Sequence, residues 1–246
     1  MKTLGKTLRK FKKYSNSFKQ YYMLKKMGYY KDQHGIVNRF YSEKINWQPH
    51  LDNTKKYILK CAKNKVRGNV AVLGSGWLLD LPLKQLHDTF DTITLYDIVH
   101  PQQIIHQIKK EYKNVHFKSV DLTGNYVYET FKIIKNYKKT GNKLHFSKIQ
   151  YIKPNFNQFD FIISLNILNQ LNILLVDYLK KYNIYTKTEL VEFAKIIQEN
   201  HILNLPIGKS CLISDVRENL YNINGEFIKS NDLIYIDLSK SNFHKS

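Results

Sequence analysis

Glycines and carboxylates follow three successive apolar stretches of the sequence. Gly74 and Gly76 follow the first stretch, Asp97 follows the second, and Asp121 follows the third. Glycines at such a point let the backbone turn sharply and approach a ligand closely. A carboxylate after the second stretch can accept both hydroxyls of a ribose, and one after the third can accept a hydrogen bond from an adenine amine. The strand ends of one parallel sheet meet at one edge, so the pattern predicts an adenosine-shaped crevice there.

The elements that must position these residues alternate between strand and helix patterns. Strands are predicted at 70–73, 92–96, 115–120, 159–165, 210–214 and 233–238, with a turn at Asn224-Gly225. Helices are predicted at 78–86, 102–112, 126–137, 168–179 and 188–204. Short apolar strands separated by helices favour a parallel sheet covered on both faces. The sequence therefore predicts an α/β fold: a Rossmann-like, mostly parallel sheet flanked by helices, with a basic helical N-terminal extension.

The charge of the chain is concentrated in that extension. Residues 1–68 hold 18 Lys and Arg against three acids, whereas residues 69–246 hold 21 against 17. We interpret 1–68 as an extension or lid and 69–246 as the ligand-binding domain. A field of this kind attracts the phosphates of RNA or of a membrane surface, so an anionic partner is predicted for 1–68. A coding bias towards lysine is the alternative explanation.

The first residues carry apolar side chains at helical spacing. These are Leu4, Leu8, Phe11, Phe18 and Tyr22. Such a helix can lie on a membrane, bind a polyanion, or cap its own domain. Gly35 and the stretch 46–50 are predicted to interrupt the helical pattern, and Asp52 or Asn53 to cap a following helix.

On the glycine loop, the two acids and the fourth-strand segment 159–166, the chain resembles the class I S-adenosylmethionine-dependent methyltransferases. The resemblance covers about residues 69–240 and implies S-adenosyl-L-methionine as cofactor. It implies that Gly74, Ser75 and Gly76 contact the amino-acid part of the cofactor and that Asp97 holds the ribose. Further implied contacts are Asp121 and Leu122 at the adenine, Ser164 and Asn166 near the methyl group, and Asp80 at the ammonium. A solvated residue of the following helix is the alternative for Asp80.

The sequence departs from the family at several points. No acid precedes Gly74, because Val70–Val72 occupy that strand, and Trp77 and Leu78 follow Gly76 where the family has another glycine. The closing antiparallel strand pair is hard to identify. Nevertheless, a nicotinamide-binding domain is disfavoured, since Leu79 occupies the third position of Gly-x-Gly-x-x-Gly. A phosphate-binding loop is also disfavoured, since no Gly-Lys-Ser/Thr follows the glycines.

Methyl transfer from a sulfonium needs alignment of the acceptor more than acid–base machinery. The residues predicted to contact the acceptor are Trp47, His50, Asn169, Gln170, Asp215 and Arg217. For Trp47 and His50 the alternative is packing against the sheet. For Asp215 and Arg217 the alternative is a surface ion pair. His201 is predicted to be a surface or packing residue. The adenine-amino and cytosine-C5 motifs are absent, because Ser164-Leu165-Asn166-Ile167 follows the fourth strand and neither cysteine follows a proline.

The sequence therefore predicts a methyltransferase acting on an unidentified acceptor, with a small molecule or lipid-linked compound favoured. The alternatives are an RNA-directed methyltransferase that uses the basic N-terminus, and a non-catalytic Rossmann-like protein that docks on nucleic acid or membrane. No metal site and no transmembrane segment are predicted, since the cysteines lack paired spacing and no long apolar run exists. A cytoplasmic location is expected, with peripheral membrane attachment as a variant of it.

Overall fold

The centre of the fold is a five-stranded parallel sheet. The computed structural model describes residues 18–240 apart from 64 and 66. The strands are β1 (Asn69–Leu73), β2 (Thr92–Asp97), β3 (Val115–Ser119), β4 (Phe161–Leu165) and β5 (Ser210–Ile213), in the order β3-β2-β1-β4-β5. All four pairings are parallel. The predicted Rossmann-like α/β fold is confirmed, because the strand order and the parallel pairings are those of a Rossmann-like sheet.

Helices cover both faces of the sheet. Residues 18–27 are helical (α1), followed by α2 (Tyr29–Ser42), α3 (Lys44–Ala62), α4 (Leu83–Thr89), α5 (Gln102–Glu111), α6 (Tyr126–Thr140), α7 (Ile173–Lys180) and α8 (Lys187–Leu203). Strand side chains alternate between faces. Ala71 and Leu73 of β1 join the core beneath α1, α6, α7 and α8. Val70 and Val72 join the core beneath α3, α4 and α5.

The helical extension is more continuous than the sequence predicts. Gly35 lies inside α2, and the stretch 46–50 with Pro49 lies inside α3, so the predicted interruption is wrong. Asp52 and Asn53 lie in the interior of α3 and do not cap it. An interior proline costs a helix about 3 kcal/mol. Burial of a stripe every three or four residues along α3 outweighs that cost; its members are Leu51, Thr54, Ile58 and Ala62.

The helix α1 packs through a different face from the predicted one. Leu4, Leu8 and Phe11 lie outside the described residues. Phe18 and Tyr22 are 71% and 49% exposed. The buried side chains of α1 are Met23, Leu24 and Met27, which belong to the same core as β1. The described part of α1 therefore caps the domain, and its predicted apolar face points to solvent. The division of the chain at residue 68 stays a prediction.

Several predicted boundaries are also wrong. The helix after the glycine loop begins at Leu83 and not at 78, and the helix after β4 begins at Ile173 and not at 168. The last strands are β6 (Arg217–Tyr221) and β7 (Phe227–Asp232), and not 233–238. These two strands are the antiparallel pair that is hard to identify from the sequence, and they form a separate two-stranded sheet.

The predicted turn at Asn224-Gly225 is confirmed between β6 and β7, where Gly225 has φ +81°. Across the described residues, no helix is both long and apolar enough to cross a bilayer.

Candidate functional site at the carboxyl edge of the sheet

The glycine loop after β1 folds over the end of β2. The amides of Gly74 and Ser75 donate to the carbonyl oxygen of Tyr96 at 2.9 and 3.1 Å. The amide of Gly76 donates to Asp97 Oδ2 at 2.8 Å. The structure therefore brings the loop and the first predicted acid into direct contact.

The two glycines serve different purposes. Gly74 has φ +83°, and a Cβ there would lie 2.8 Å from the Ile167 side chain and 2.9 Å from the carbonyl oxygen of Leu165. Gly74 is thus required for the close approach to the end of β4. Gly76 has φ +44°, and a Cβ there would meet no described atom within 4 Å. The space beside Gly76 is open to a ligand.

Asp97 is buried and held by main-chain donors. Its Oδ1 accepts hydrogen bonds from the amides of Ile98 at 2.7 Å and Val99 at 3.4 Å. Burial raises the pKa of Asp97, and the hydrogen bond from Gly76 opposes that rise. A carboxylate oxygen has two lone pairs. Asp97 Oδ2, with one amide donor, therefore retains capacity for a ribose hydroxyl.

His100 is a residue of this edge that the sequence reasoning missed. Its Nδ1 lies 3.4 Å from Ser75 Oγ, and its Nε2 lies 3.2 Å from the carbonyl oxygen of Lys118. Burial lowers the pKa of His100. A neutral ring can donate from Nε2 to Lys118 and accept from Ser75, which ties the glycine loop to β3. No spacing pattern around His100 signals this role.

Asp121 lies at the end of β3 but is turned towards α6. Its Oδ1 accepts from the amide of Thr123 at 2.9 Å, and its Oδ2 accepts from the amide of Val127 at 3.1 Å. Burial raises the pKa of Asp121, and the bonds from Thr123 oppose the rise. The carboxylate thus closes the first turn of α6, with Leu122 buried beside it. Its contact with adenine stays a prediction.

Tyr29, the first residue of α2, lies within electrostatic reach of the two acids of this edge. Burial raises the pKa of Tyr29 well above its ordinary value, and the charges of Asp121 and Asp97 raise it further. The phenol is therefore close to both carboxylates and keeps its proton. Tyr29 belongs to the extension, far from these acids in sequence, and no local pattern predicts the contact.

Trp77 connects the glycine loop to α2 through a hydrogen bond. Its indole Nε1 donates to the carbonyl oxygen of Gln33 at 2.7 Å. Trp77 thus anchors the covering helix, a role that the sequence analysis did not predict.

Replacing Trp77 by Phe should loosen this cover. Trp77→Phe keeps an aromatic ring but removes one hydrogen bond, so we expect a loss of about 1 kcal/mol in the free energy of unfolding. Amide hydrogen exchange in α2 should accelerate. Trp47→Phe is the matched control, because Trp47 is half-buried beside Phe40. Equal exchange in α2 of both variants would show that the Trp77 bond does not hold the helix.

Asp80 and Asn166 form a cluster of acceptors beside the loop. Asn166 Nδ2 donates to Asp80 Oδ2 at 2.7 Å, while Asn166 Oδ1 is buried with no described partner. Burial raises the pKa of Asp80; the bond from Asn166 and the charges of His50 and Lys55 lower it. This half-buried carboxylate and the buried carbonyl oxygen beside it can both accept a hydrogen bond from a donor on a ligand.

The backbone around this cluster is strained. Asn166 has φ +49° and Leu78 has φ +58°, both in the left-handed region. Asparagine tolerates that conformation, whereas leucine pays about 1–2 kcal/mol for it. Strain of this kind concentrates at ligand sites.

The side chain of Ser164 does not point to the ligand edge, where its predicted role near the methyl group would require it. It is fully buried, and its Oγ lies 2.8 Å from Nε2 of His201 on α8. Its side chain therefore faces the core between β4 and α8. His201 itself is buried, and burial lowers its pKa to about 4.

This histidine should make the protein sensitive to acid. The unfolded chain binds a proton near pH 6.5 and the folded chain near pH 4. The contribution of neutral His201 to the free energy of unfolding is therefore fully present above pH 6.5. It falls by about 3 kcal/mol as the pH drops towards 4. Denaturant titrations at several pH values give the free energy of unfolding as a function of pH. Between pH 6.5 and 4, we expect this free energy to fall more steeply with decreasing pH in the wild type than in His201→Gln. His106→Gln, at an exposed histidine of α5, is the control, and matching slopes for all three proteins would refute the prediction.

The residues predicted to contact the acceptor are dispersed. His50 is exposed on α3 but close enough for its charge to act on Asp80. Asn169 is buried, and its Oδ1 accepts from Ser214 Oγ at 3.2 Å after β5. Gln170 and Asp215 are exposed.

Arg217 is also exposed. Its Nε pairs with Asp232 Oδ1 at 3.1 Å across the β6–β7 hairpin. This is the surface ion pair that the sequence left as the alternative. Among the residues that the structure describes, no three His, Cys, Asp or Glu side chains are grouped as metal ligands.

Comparison with known proteins adds little to this geometry. No protein-family model matches the sequence, and no curated protein matches it at a significant level. One solved structure with a similar arrangement is described as a "DhpI-SAM-HEP complex", with a TM-score of 0.41 and 11% sequence identity. The similarity covers 83% of this chain and 79% of that chain. At so distant a likeness, the function of this chain rests on its own site.

Proposed function

We propose that the chain binds S-adenosyl-L-methionine at the carboxyl edge of the sheet and transfers its methyl group to an acceptor. The observation that carries the proposal is the acceptor cluster beside the glycine loop. There, the half-buried carboxylate of Asp80 accepts a hydrogen bond from Asn166, whose buried Oδ1 lacks a described partner. Such a cluster suits a cationic donor, and the amino-acid end of S-adenosylmethionine carries an ammonium group.

The same edge is poorly suited to a phosphate. In dinucleotide-binding folds, the pyrophosphate lies on the N-terminus of the helix that directly follows the glycines. Here α4 begins at Leu83, and Asp80 lies between Gly76 and that helix. A carboxylate beside the loop repels a phosphate and attracts a cation. This favours a sulfonium nucleoside over NAD or ATP.

The residues present fit the parts of such a ligand. Asp80 and Asn166 Oδ1 would hold the ammonium, the open face of Gly76 admits the backbone of the ligand, and Asp97 Oδ2 would accept a ribose hydroxyl. Tyr29 and α2 would exclude water from the nucleoside end. The bound cofactor supplies an already activated methyl group, so alignment of the acceptor provides much of the rate.

Isothermal titration calorimetry with a panel of nucleotides tests this proposal. We expect saturable binding of S-adenosylmethionine and S-adenosylhomocysteine, and no binding of NAD or ATP at the same concentrations. Binding of NAD in preference to the sulfonium would overturn the assignment. Binding without transfer of a labelled methyl group to any acceptor would favour the non-catalytic alternative.

A further inference from the structure

The outward sides of three helices form a strongly basic surface, which we name the α1–α6–α7 surface. Its exposed lysines are Lys19, Lys25, Lys26, Lys132, Lys135, Lys138, Lys139, Lys180 and Lys181. The same segments contain two acids, Glu129 and Asp177. Both acids are bound by neighbouring lysines, at 3.4 Å each. Seven of the nine lysines form no ion pair with a described residue, so the surface has a strong attraction for anions.

A chain of aromatic contacts makes this surface continuous. The Tyr22 ring of α1 meets the Phe131 ring of α6 edge-on, with centroids 6.4 Å apart. Phe131 stacks on Tyr178 of α7 at 6.1 Å, and Tyr178 meets Tyr182 at 5.4 Å. The lysines of the three helices therefore belong to one surface and not to three separate ones.

Exposed rings, together with the half-buried ring of Tyr182, alternate with the lysines. Lys25 lies over the Tyr21 ring at 5.8 Å, Lys26 over Tyr22 at 5.6 Å, and Lys138 over Tyr182 at 4.6 Å. Phe18 is 71% exposed. Proteins that bind single strands combine a positive track for phosphates with aromatic side chains on which bases stack. We propose that the α1–α6–α7 surface binds a single-stranded nucleic acid.

The packing of α1 argues for this ligand over a membrane. A helix that lies in a membrane interface inserts its apolar face among the lipids. The aliphatic side chains of α1 are already buried against the sheet, namely Met23, Leu24 and Met27. The exposed side chains of α1 are three lysines, two tyrosines, Gln20 and Phe18, which suit phosphates and bases.

The surface adjoins the candidate cofactor crevice. Gly28 connects α1 to α2, and a Cβ on it would lie 3.7 Å from Leu174 of α7. The next residue, Tyr29, lies close to Asp97 and Asp121. A strand bound on the surface could therefore present a nucleotide to the crevice as methyl acceptor. This last step rests on the proposed function, whereas binding of the strand does not.

Fluorescence anisotropy with the full chain tests the binding. The probes are a labelled RNA of about 20 nucleotides and mixed sequence, and a DNA of the same sequence. The variant combines Lys135→Gln, Lys138→Gln and Lys181→Gln. We expect its affinity to fall by at least about 10-fold, and the slope of log K against log salt to decrease by about 2.

The matched control removes the same charge from the opposite face of the sheet. It combines Lys109→Gln, Lys110→Gln and Lys113→Gln, all exposed in or just after α5. A preference for RNA or for DNA would identify the source of the strand, and either supports the proposal. Equal weakening of both triple variants, or binding to phosphatidylserine vesicles without binding to either oligonucleotide, would overturn it.

A second readout separates this proposal from the proposed function. S-adenosylhomocysteine affinity, measured by calorimetry on the same proteins, should be equal in the wild type and in both triple variants. Strand binding without any cofactor binding would support the surface and reject the methyltransferase. Cofactor binding without strand binding would support the cofactor site and reject the nucleic-acid surface.

Discussion

Asp80→Asn should stabilise the protein while weakening its affinity for S-adenosylhomocysteine by roughly 10- to 150-fold, the range expected for loss of a hydrogen bond to a charged group. The substitution removes a half-buried charge, yet its new amide oxygen can still accept the bond from Asn166 Nδ2. Its new amide nitrogen can donate to Asn166 Oδ1, which has no described partner. We therefore expect the free energy of unfolding to rise by about 1 kcal/mol.

Adenosine provides an internal comparison for this variant. It lacks the amino-acid part of the cofactor, so Asp80→Asn should leave its affinity unchanged. Asp88→Asn, an exposed acid on α4, is the matched control for both measurements. If Asp80→Asn weakened adenosine as much as S-adenosylhomocysteine, Asp80 would not be the ammonium site. A loss of stability would show that Asp80 is a structural residue.

Asp97→Ala should weaken adenosine and S-adenosylhomocysteine equally. Its carboxylate accepts the amides of Gly76 and Ile98 and, in the proposed complex, a ribose hydroxyl that both ligands share. The loss of the ribose acceptor should reduce affinity by about 1–3 kcal/mol, or roughly 5- to 150-fold. Calorimetry with both ligands measures this change.

The same substitution should also destabilise the fold. It leaves the amide of Gly76 in the glycine loop and the amides of Ile98 and Val99 after β2 without their acceptor, so the free energy of unfolding should fall by about 1–3 kcal/mol. Asp91→Ala is the control, since Asp91 is exposed just before β2, at the opposite edge of the sheet. Unchanged ligand affinity in folded Asp97→Ala would contradict the ribose assignment, whatever its stability.

The sheet and its loop could be predicted because their signals are local. Apolar or alternating stretches mark β1 to β5, and the residue types after each stretch show which edge can bind a ligand. The orientation of single side chains is less secure, because adjacent strand residues face opposite sides of a sheet. Ser164 illustrates this: it ends in the core against His201, although its place near the end of β4 is correct.

The cover of the site could not be predicted, because it depends on contacts between distant segments. Gln33 of α2 accepts a hydrogen bond from Trp77, which is 44 positions away in the sequence. Tyr29 of the same helix lies within electrostatic reach of the more distant Asp97 and Asp121. The continuity of α3 through Pro49 likewise depends on burial against the sheet and not on helix propensity. Such contacts become visible once the chain is folded.

The most direct test is a crystal structure of the chain with S-adenosylhomocysteine. The account predicts the ligand ammonium within hydrogen-bond distance of Asp80 and Asn166 Oδ1, and a ribose hydroxyl on Asp97 Oδ2. A ligand bound elsewhere on the sheet, or bound here with its amino-acid end turned away from Asp80, would contradict it.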